Sequence, residues 1–284
     1  MKLIIDAMGG DNAPLEIVKG ALSGQKRWGV DVTLTGDTTA ILQALEACGE
    51  KTLPQGMEIV HTTETVEMCD DPATVFRRKK DTSMGVGLTM LRDGRADAMV
   101  SAGSTGALLT GATLIVKRIR GIRRAAMAPV IPTTTGQAVL IDCGANAECT
   151  PEYLVQFAYL GSYYAHRVLG VERPRVGLLN IGTEDSKGTD LQKETLRWLR
   201  EAHTAGHLNF IGNIEAKEAI KGGCDVIVCD GFSGNVLLKT MEGVGSFAGS
   251  ALKAMFKKNL LTKLAALCVM PGLNAFKAKL DPNK

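Results

Sequence analysis

Five short stretches bring acids, amides, hydroxyls and glycines together directly after an apolar run. They are Asp6-Ala-Met-Gly-Gly-Asp-Asn, Ser101-Ala-Gly-Ser-Thr-Gly, Asp142-Cys-Gly-Ala-Asn, Asn180-Ile-Gly-Thr-Glu and Asp230-Gly-Phe-Ser-Gly-Asn. A glycine turn ahead of a helix exposes backbone N–H groups at the positive end of the helix dipole, so its natural guest is an anion. "SAGSTGA" adds two hydroxyls to such a turn, and "IGTEDSKGTD" adds a conspicuous cation, Lys187. "DAMGGDNAP" (6–14) carries more special residues than a plain turn needs. Asn12 as a helix cap, with Pro14 in the first turn, would explain part of it. Gly9, Gly10, Asp6 and Asp11 are left for a backbone shaped to let another molecule approach.

Other chemistries lack their residues. No Gly-x-x-x-x-Gly-Lys-Ser/Thr occurs, and no Gly-x-Gly-x-x-Gly follows the first strand, which argues against nucleotide sites. Ser233 in "DGFSGN" is not in a Gly-x-Ser-x-Gly elbow. His61, His166, His203 and His207 have no catalytic neighbours in sequence and read as core or surface residues. The seven cysteines form no Cys-x-x-Cys pair and stand at no ligand spacing from the histidines, so they read as free thiols. The expectation is a site without metal or cofactor.

These residues need elements to hold them. Runs 2–6, 30–36, 57–63, 96–103, 138–144, 174–182, 208–213 and 225–231 read as strands. Helical patterns occupy 14–22, 40–47, 75–91, 151–169 and 190–202. The alternation predicts an α/β fold, a largely parallel central sheet with helices on both faces. All five loops then fall at C-terminal strand ends, on the edge where open parallel sheets bind ligands. No linker or repeat divides the chain, so a single catalytic domain over 1–284 is expected, with 255–280 as a basic helical appendage.

A hydrophobic content of 45% supports a substantial core. No secretion signal or long apolar span is seen, and a cytoplasmic protein is expected. The net charge of +3 hides six lysines and no acid in 251–280. A near-neutral body with one basic appendage argues against nucleic-acid binding. Within 255–280, Leu260, Leu261, Leu264, Leu267 and Cys268 share one helical face, with Lys257, Lys258 and Lys263 off it, and Pro271-Gly272 is read as the helix end. Such a face suits an anionic membrane surface; a dimer-interface or core helix is the alternative.

"DAMGGDNAP", "SAGSTGALL", "DCGAN", "LLNIGTEDSKG" and "VCDGFSGNVLLKTMEG", in this order, make the chain resemble the bacterial phosphate acyltransferase family. The resemblance implies a fold like that of isopropylmalate dehydrogenases and phosphotransacetylases. It implies an enzyme making acyl-phosphate from acyl-[acyl-carrier-protein] and inorganic phosphate in phospholipid synthesis. It also implies a homodimer at the membrane periphery, near the membrane glycerol-3-phosphate acyltransferase. Family members usually continue past "AFKAKLD" by several tens of residues, so a C-terminal piece is expected to be missing here. On this reading Lys187, Asn235 and Asp6 are catalytic. Gly9, Gly10, Asp11, Asn12, Gly103, Ser104, Thr105, Gly106, Asn146, Gly182 and Thr183 bind substrate or phosphate. A phosphotransacetylase acting on acyl-CoA and a non-catalytic scaffold for acyl carrier protein are the alternatives.

Overall fold

The apolar runs assemble into two sheets rather than one. The computed structural model describes residues 1–259, 261–262, 265–266 and 269–272. The chain divides into two compact units, Met1–Gly121 and Ile122–Lys284.

In the first unit, β1 (Lys2–Asp6), β2 (Asp31–Gly36), β3 (Met57–His61) and β4 (Ala98–Val100) form a parallel sheet in the order β3-β2-β1-β4. The period of two along each strand sends alternate side chains to opposite faces. Leu3, Ile5, Val32 and Leu34 pack with Val18 and Ala21 of α1 (Leu15–Trp28) and with Ile41, Ala44 and Leu45 of α2 (Thr38–Ala47). Ile4 faces the other way, toward α4 (Ser83–Arg92). Gly87 lets that helix lie against the sheet, since a Cβ there would fall 2.8 Å from Met99 Cε and 3.0 Å from Ile4 Cγ2.

The second unit holds β5 (Val130–Thr133), β6 (Gly136–Ile141), β7 (Val176–Leu179), β8 (Phe210–Ile214) and β9 (Val226–Val228), in the order β5-β6-β9-β7-β8. All pairs are parallel except β5 with β6. Val139, Ile141, Val176, Leu178, Val226 and Val228 meet Leu154 and Phe157 of α6 (Pro151–Leu169) and Leu199 of α7 (Asp190–Thr204) on one face. Ala138, Leu140 and Ile227 meet Ala219 of α8 (Ala216–Ile220) and Leu237, Leu238 and Met241 of α9 (Gly231–Lys257) on the other.

Two ion pairs sit where strands begin. Asp97 accepts from the Lys2 backbone N–H at 2.7 Å, and Lys2 Nζ and Thr33 Oγ1 donate to Glu58 at 2.9 and 2.8 Å. These two bonds hold the Glu58 carboxyl below its ordinary range. Ahead of β7 and β9, Arg175 grips Asp225 with Nη2 at 2.9 Å and Nε at 3.1 Å, and donates its backbone N–H at 2.7 Å. Burial pushes the Asp225 carboxyl up, but the Arg175 bonds outweigh it and the net shift is downward.

Several expectations change. The five loops lie on two sheet edges, two in the first unit and three in the second. The helix expected over 75–91 is broken into α3 (Val75–Arg78) and α4. Asp81 is drawn away by Thr63, whose N–H and hydroxyl donate to it at 2.8 and 2.7 Å, and Thr82 instead caps α4 at Gly85 N. Asn12 does not cap α1 through its side chain; Pro14 occupies the cap position and only the Asn12 carbonyl is used, by Glu16 N–H. Lys257 is the last residue of α9, in which no proline interrupts 231–257. Pro271 and Gly272 are themselves helical, as proline's fixed φ fits a helix. Leu260, Lys263, Leu264, Leu267 and Cys268 lie outside the described residues.

Candidate active site

In the first sheet the chain moves from β1 to β2 and β3 on one side, then returns to place β4 on the other side of β1. The ends of β1 and β4 therefore flank a topological switch point, where open α/β sheets take their ligands. Asp6 closes β1 and is 1% exposed. It accepts Ser101 Oγ at 2.6 Å and the Met8 N–H at 3.3 Å, while Ser101 Oγ accepts the Gly103 N–H at 3.1 Å. One carboxylate thus ties both loops together. Gly9 is pressed into this knot: a Cβ there would lie 2.6 Å from Asp6 Oδ2 and 2.8 Å from Gly103 N. Gly10 has φ +105° and faces the Ala102 carbonyl, so a side chain is disfavoured twice over.

Ser104, almost fully buried, caps α5 (Thr105–Gly111) by accepting the Ala107 N–H at 3.4 Å. Thr105 and Gly106 are exposed, and as first-turn groups their N–H bonds have no intrahelical partner. Asp11 and Asn12 are also exposed. This edge offers an anion several backbone donors beside a carboxylate already committed to holding the loops.

In the second unit the buried Asp142 does similar work after β6. Its Oδ1 accepts N–H groups of Met127 and Cys143 at 2.9 and 2.7 Å; its Oδ2 accepts the backbone and side-chain N–H of Asn146 at 2.7 and 2.9 Å. Asn146 Nδ2 also donates to the Ala125 carbonyl at 2.8 Å, so its amide nitrogen is engaged in the fold. Asp230 caps α9 by accepting both N–H and hydroxyl of Ser233, and Gly231 fits beside Asp142 where a Cβ would come within 2.8 Å of Oδ2. In the next turn Asn235 is exposed and overlies Gly144, 3.7 Å from where its Cβ would be.

The loop from β7 to α7 carries Lys187. Asn180 shapes it, accepting Ile181 N–H at 2.8 Å and donating to the Lys187 carbonyl at 3.2 Å, while Asn213 donates to the Glu184 carbonyl at 3.1 Å. The Lys187 stem crosses the buried Gly182, whose Cβ would meet Lys187 Cγ at 3.0 Å. Its ammonium pairs with no carboxylate among the described residues. Thr183 is exposed.

The structure thus groups Asp6 with Gly9 and Gly103, Lys187 with Gly182, and Asn235 with Gly144. No hydrogen bond among the described residues joins Lys187 to Asn235. Ser101, Asp142, Asn180 and Asp230 hold the loops and were not singled out from sequence, although each is the first residue of its stretch. Thiols around Asp142 are held protonated. Burial raises Cys143, pushes Cys149 up to about 11 and takes Cys229 well above its ordinary value. None is a thiolate nucleophile at neutral pH. Among the described residues no three His, Cys, Asp or Glu side chains gather as a metal site, and no helix is long and apolar enough to cross a membrane.

The model of a family described as "Fatty acid synthesis protein" matches residues 1–284. A phosphate acyltransferase of Alkaliphilus oremlandii is 47% identical over 281 residues, covering 99% of this chain and 82% of that protein. One from Brevibacillus brevis is 46% identical over 283 residues, with 99% and 82% covered. The chain belongs to the phosphate acyltransferase family. Solved structures agree at the level of fold. A phosphotransacetylase from Streptococcus pyogenes superposes with TM-score 0.66 at 20% identity, covering 87% of this chain and 82% of that one. A 4-hydroxythreonine-4-phosphate dehydrogenase from Burkholderia phymatum gives 0.52 at 13%, covering 84% and 83%. The family's α/β fold, with its parallel strands and flanking helices, is the one expected from sequence.

Proposed function

We propose that this chain, acting as one catalytic domain, transfers an acyl group from acyl-[acyl-carrier-protein] to inorganic phosphate in phospholipid synthesis. Membership of the phosphate acyltransferase family is the observation that supports this most. The second ionisation of inorganic phosphate falls close to neutral pH, so a nucleophilic dianion is available there without a general base. A phosphate oxygen attacks the thioester carbon and the carbonyl electron pair moves onto oxygen. Collapse breaks the C–S bond and releases the phosphopantetheine thiolate, which takes a proton from solvent. The protonated state of Cys143, Cys149 and Cys229 favours this direct route over an acyl-cysteine.

The residues divide the work. In the first unit, Gly9, Gly10 and the 103–106 turn, with Ser104 as its cap, offer backbone donors to an anion, Asp6 fixes the loops, and Asp11 and Asn12 orient substrate. In the second, Lys187 neutralises phosphate or oxyanion charge, Asn235 donates a hydrogen bond, and Asn146, Gly182 and Thr183 shape the binding loops. Preorganised charge of this kind commonly contributes most of the acceleration.

The protein is proposed to be a cytoplasmic homodimer without metal or cofactor. It would contact anionic membrane through Lys257, Lys258 and the leucines at 260, 261, 264 and 267, close to the glycerol-3-phosphate acyltransferase that consumes acyl-phosphate. The fold shared with phosphotransacetylases makes acyl-CoA the rival donor. Acyl-phosphate is to be measured in EDTA with phosphate and either acyl-carrier-protein or acyl-CoA. Preference for the carrier is expected; preference for CoA would select the phosphotransacetylase reading, and no product from either would leave a scaffold.

A further inference from the structure

Residues 98–141 contain no Asp or Glu, yet hold Lys117, Arg118, Arg120, Arg123 and Arg124 within eight positions. Two of the five are occupied: Arg123 Nε donates to Glu152 at 3.1 Å, and Arg124 lies 5.6 Å from the centre of the Tyr153 ring. Lys117, Arg118 and Arg120 are exposed and pair with no carboxylate among the described residues. Ile119 between them is 74% exposed, and Leu114 nearby is 56% exposed. Lys117 also sits at φ 75°, where a glycine would be more comfortable than any side chain.

We infer that Lys117, Arg118 and Arg120, with Ile119 and Leu114, form the docking surface for an acidic protein partner. Resting on the function proposed above, that partner is the carrier presenting the acyl thioester. Guanidinium forks match carboxylates bidentately, which suits a partner studded with Asp and Glu. A lipid surface fits less well. Membrane-surface segments offer an apolar helical stripe, whereas residues 117–124 form no helix.

Position supports the assignment. The helical run from Thr105 through the π-helical segment Ala112–Val116 joins the 103–106 turn to Lys117. At about 1.5 Å of rise per α-helical residue, and less in the π segment, it spans roughly 16 Å. A phosphopantetheine arm carries its thioester a comparable distance from the protein that bears it. A carrier seated on this patch can deliver its acyl group to the turn without seating itself on the turn.

The test combines Lys117→Gln, Arg118→Gln and Arg120→Gln in the full chain and uses two acyl donors, acyl-carrier-protein and uncharged acyl-pantetheine. The variant should raise KM for the carrier donor at least tenfold and flatten its salt dependence, leaving kcat and acyl-pantetheine turnover within twofold. An unchanged carrier KM overturns the proposal. Equal losses with both donors also overturn it, since the patch would then serve the reaction or the fold. Loss of binding to phosphatidylglycerol vesicles with unchanged KM would reassign the patch to lipid. If wild-type protein makes no acyl-phosphate from the carrier donor, the proposed function fails. Titrating the carrier against both proteins still decides docking, since binding lost only in the variant upholds it and no difference rejects it.

Discussion

At the scale of residues, this family member separates groups that hold a loop from groups left free to act. Asp6 and Asp142 have spent their oxygens on loop donors, whereas Lys187 is exposed and its ammonium pairs with no carboxylate among the described residues. Lys187→Ala is therefore expected to lower turnover roughly 100-fold, the usual scale for losing one electrostatic contact to a transition state. Its melting temperature should not move. Activity close to wild type would remove Lys187 from the reaction. The thiols allow an independent check. Cys69 is exposed, whereas Cys143, Cys224 and Cys229 are buried, with Cys224 pushed up to about 12 by burial. Brief alkylation at neutral pH followed by mass spectrometry should label Cys69 and spare those three until the chain unfolds. Early labelling of Cys229 would contradict its place beneath the Asp142 loop.

At the scale of elements, the loops work because glycines admit close approach, and the glycines differ in what surrounds them. Gly9→Ala drives a methyl against Asp6 and the Gly103 N–H and is expected to destabilise by about 1–3 kcal/mol, as overpacking does. Activity should fall with it. Gly20, in the interior of α1 with nothing within 4 Å, makes the control. Gly20→Ala should stabilise by roughly 0.4–1 kcal/mol, and urea denaturation of both proteins checks the contrast. Strand and helix periods made most of these elements legible in sequence, including β1, β2, α6 and α7 nearly to the residue. The antiparallel β5 was missed because "VIPT" contains a proline and is too short for alternation to show. The break at 79–82 was missed because it depends on Thr63, a partner distant in sequence. The loops themselves could be read, but not their division between two sheets, since strand order leaves no local signal. Nor could the spacing of letters show that Asp142 is a scaffold residue.

At the scale of the whole molecule, acid and membrane test different ends. Asp225 has its folded pKa lowered beneath the unfolded value of about 3.9, so its contribution is complete above that pH and disappears as pH falls through the folded value. Arg175→Ala strands this carboxylate, whose side chain is only 17% exposed, and should cost about 1–3 kcal/mol at neutral pH. The deficit should shrink toward pH 3 as Asp225 is protonated, which denaturation at both pH values would show. An equal deficit at both would assign the loss to packing alone. Leu261 is 78% exposed, and Leu261→Glu with Leu264→Glu should abolish binding to anionic vesicles while turnover of soluble acyl-carrier-protein survives. Loss of the dimer instead would make this segment an interface. The placement of the ion pairs has a further consequence. Arg175–Asp225 and Lys2–Glu58 fasten strands at their beginnings, whereas the loops proposed to act in acyl transfer hang from their ends, a strand length away. These two pairs can therefore change without touching a residue proposed to act in turnover. A lineage moving to hotter or saltier water can rewrite one end of its sheets and leave the other to keep its rate.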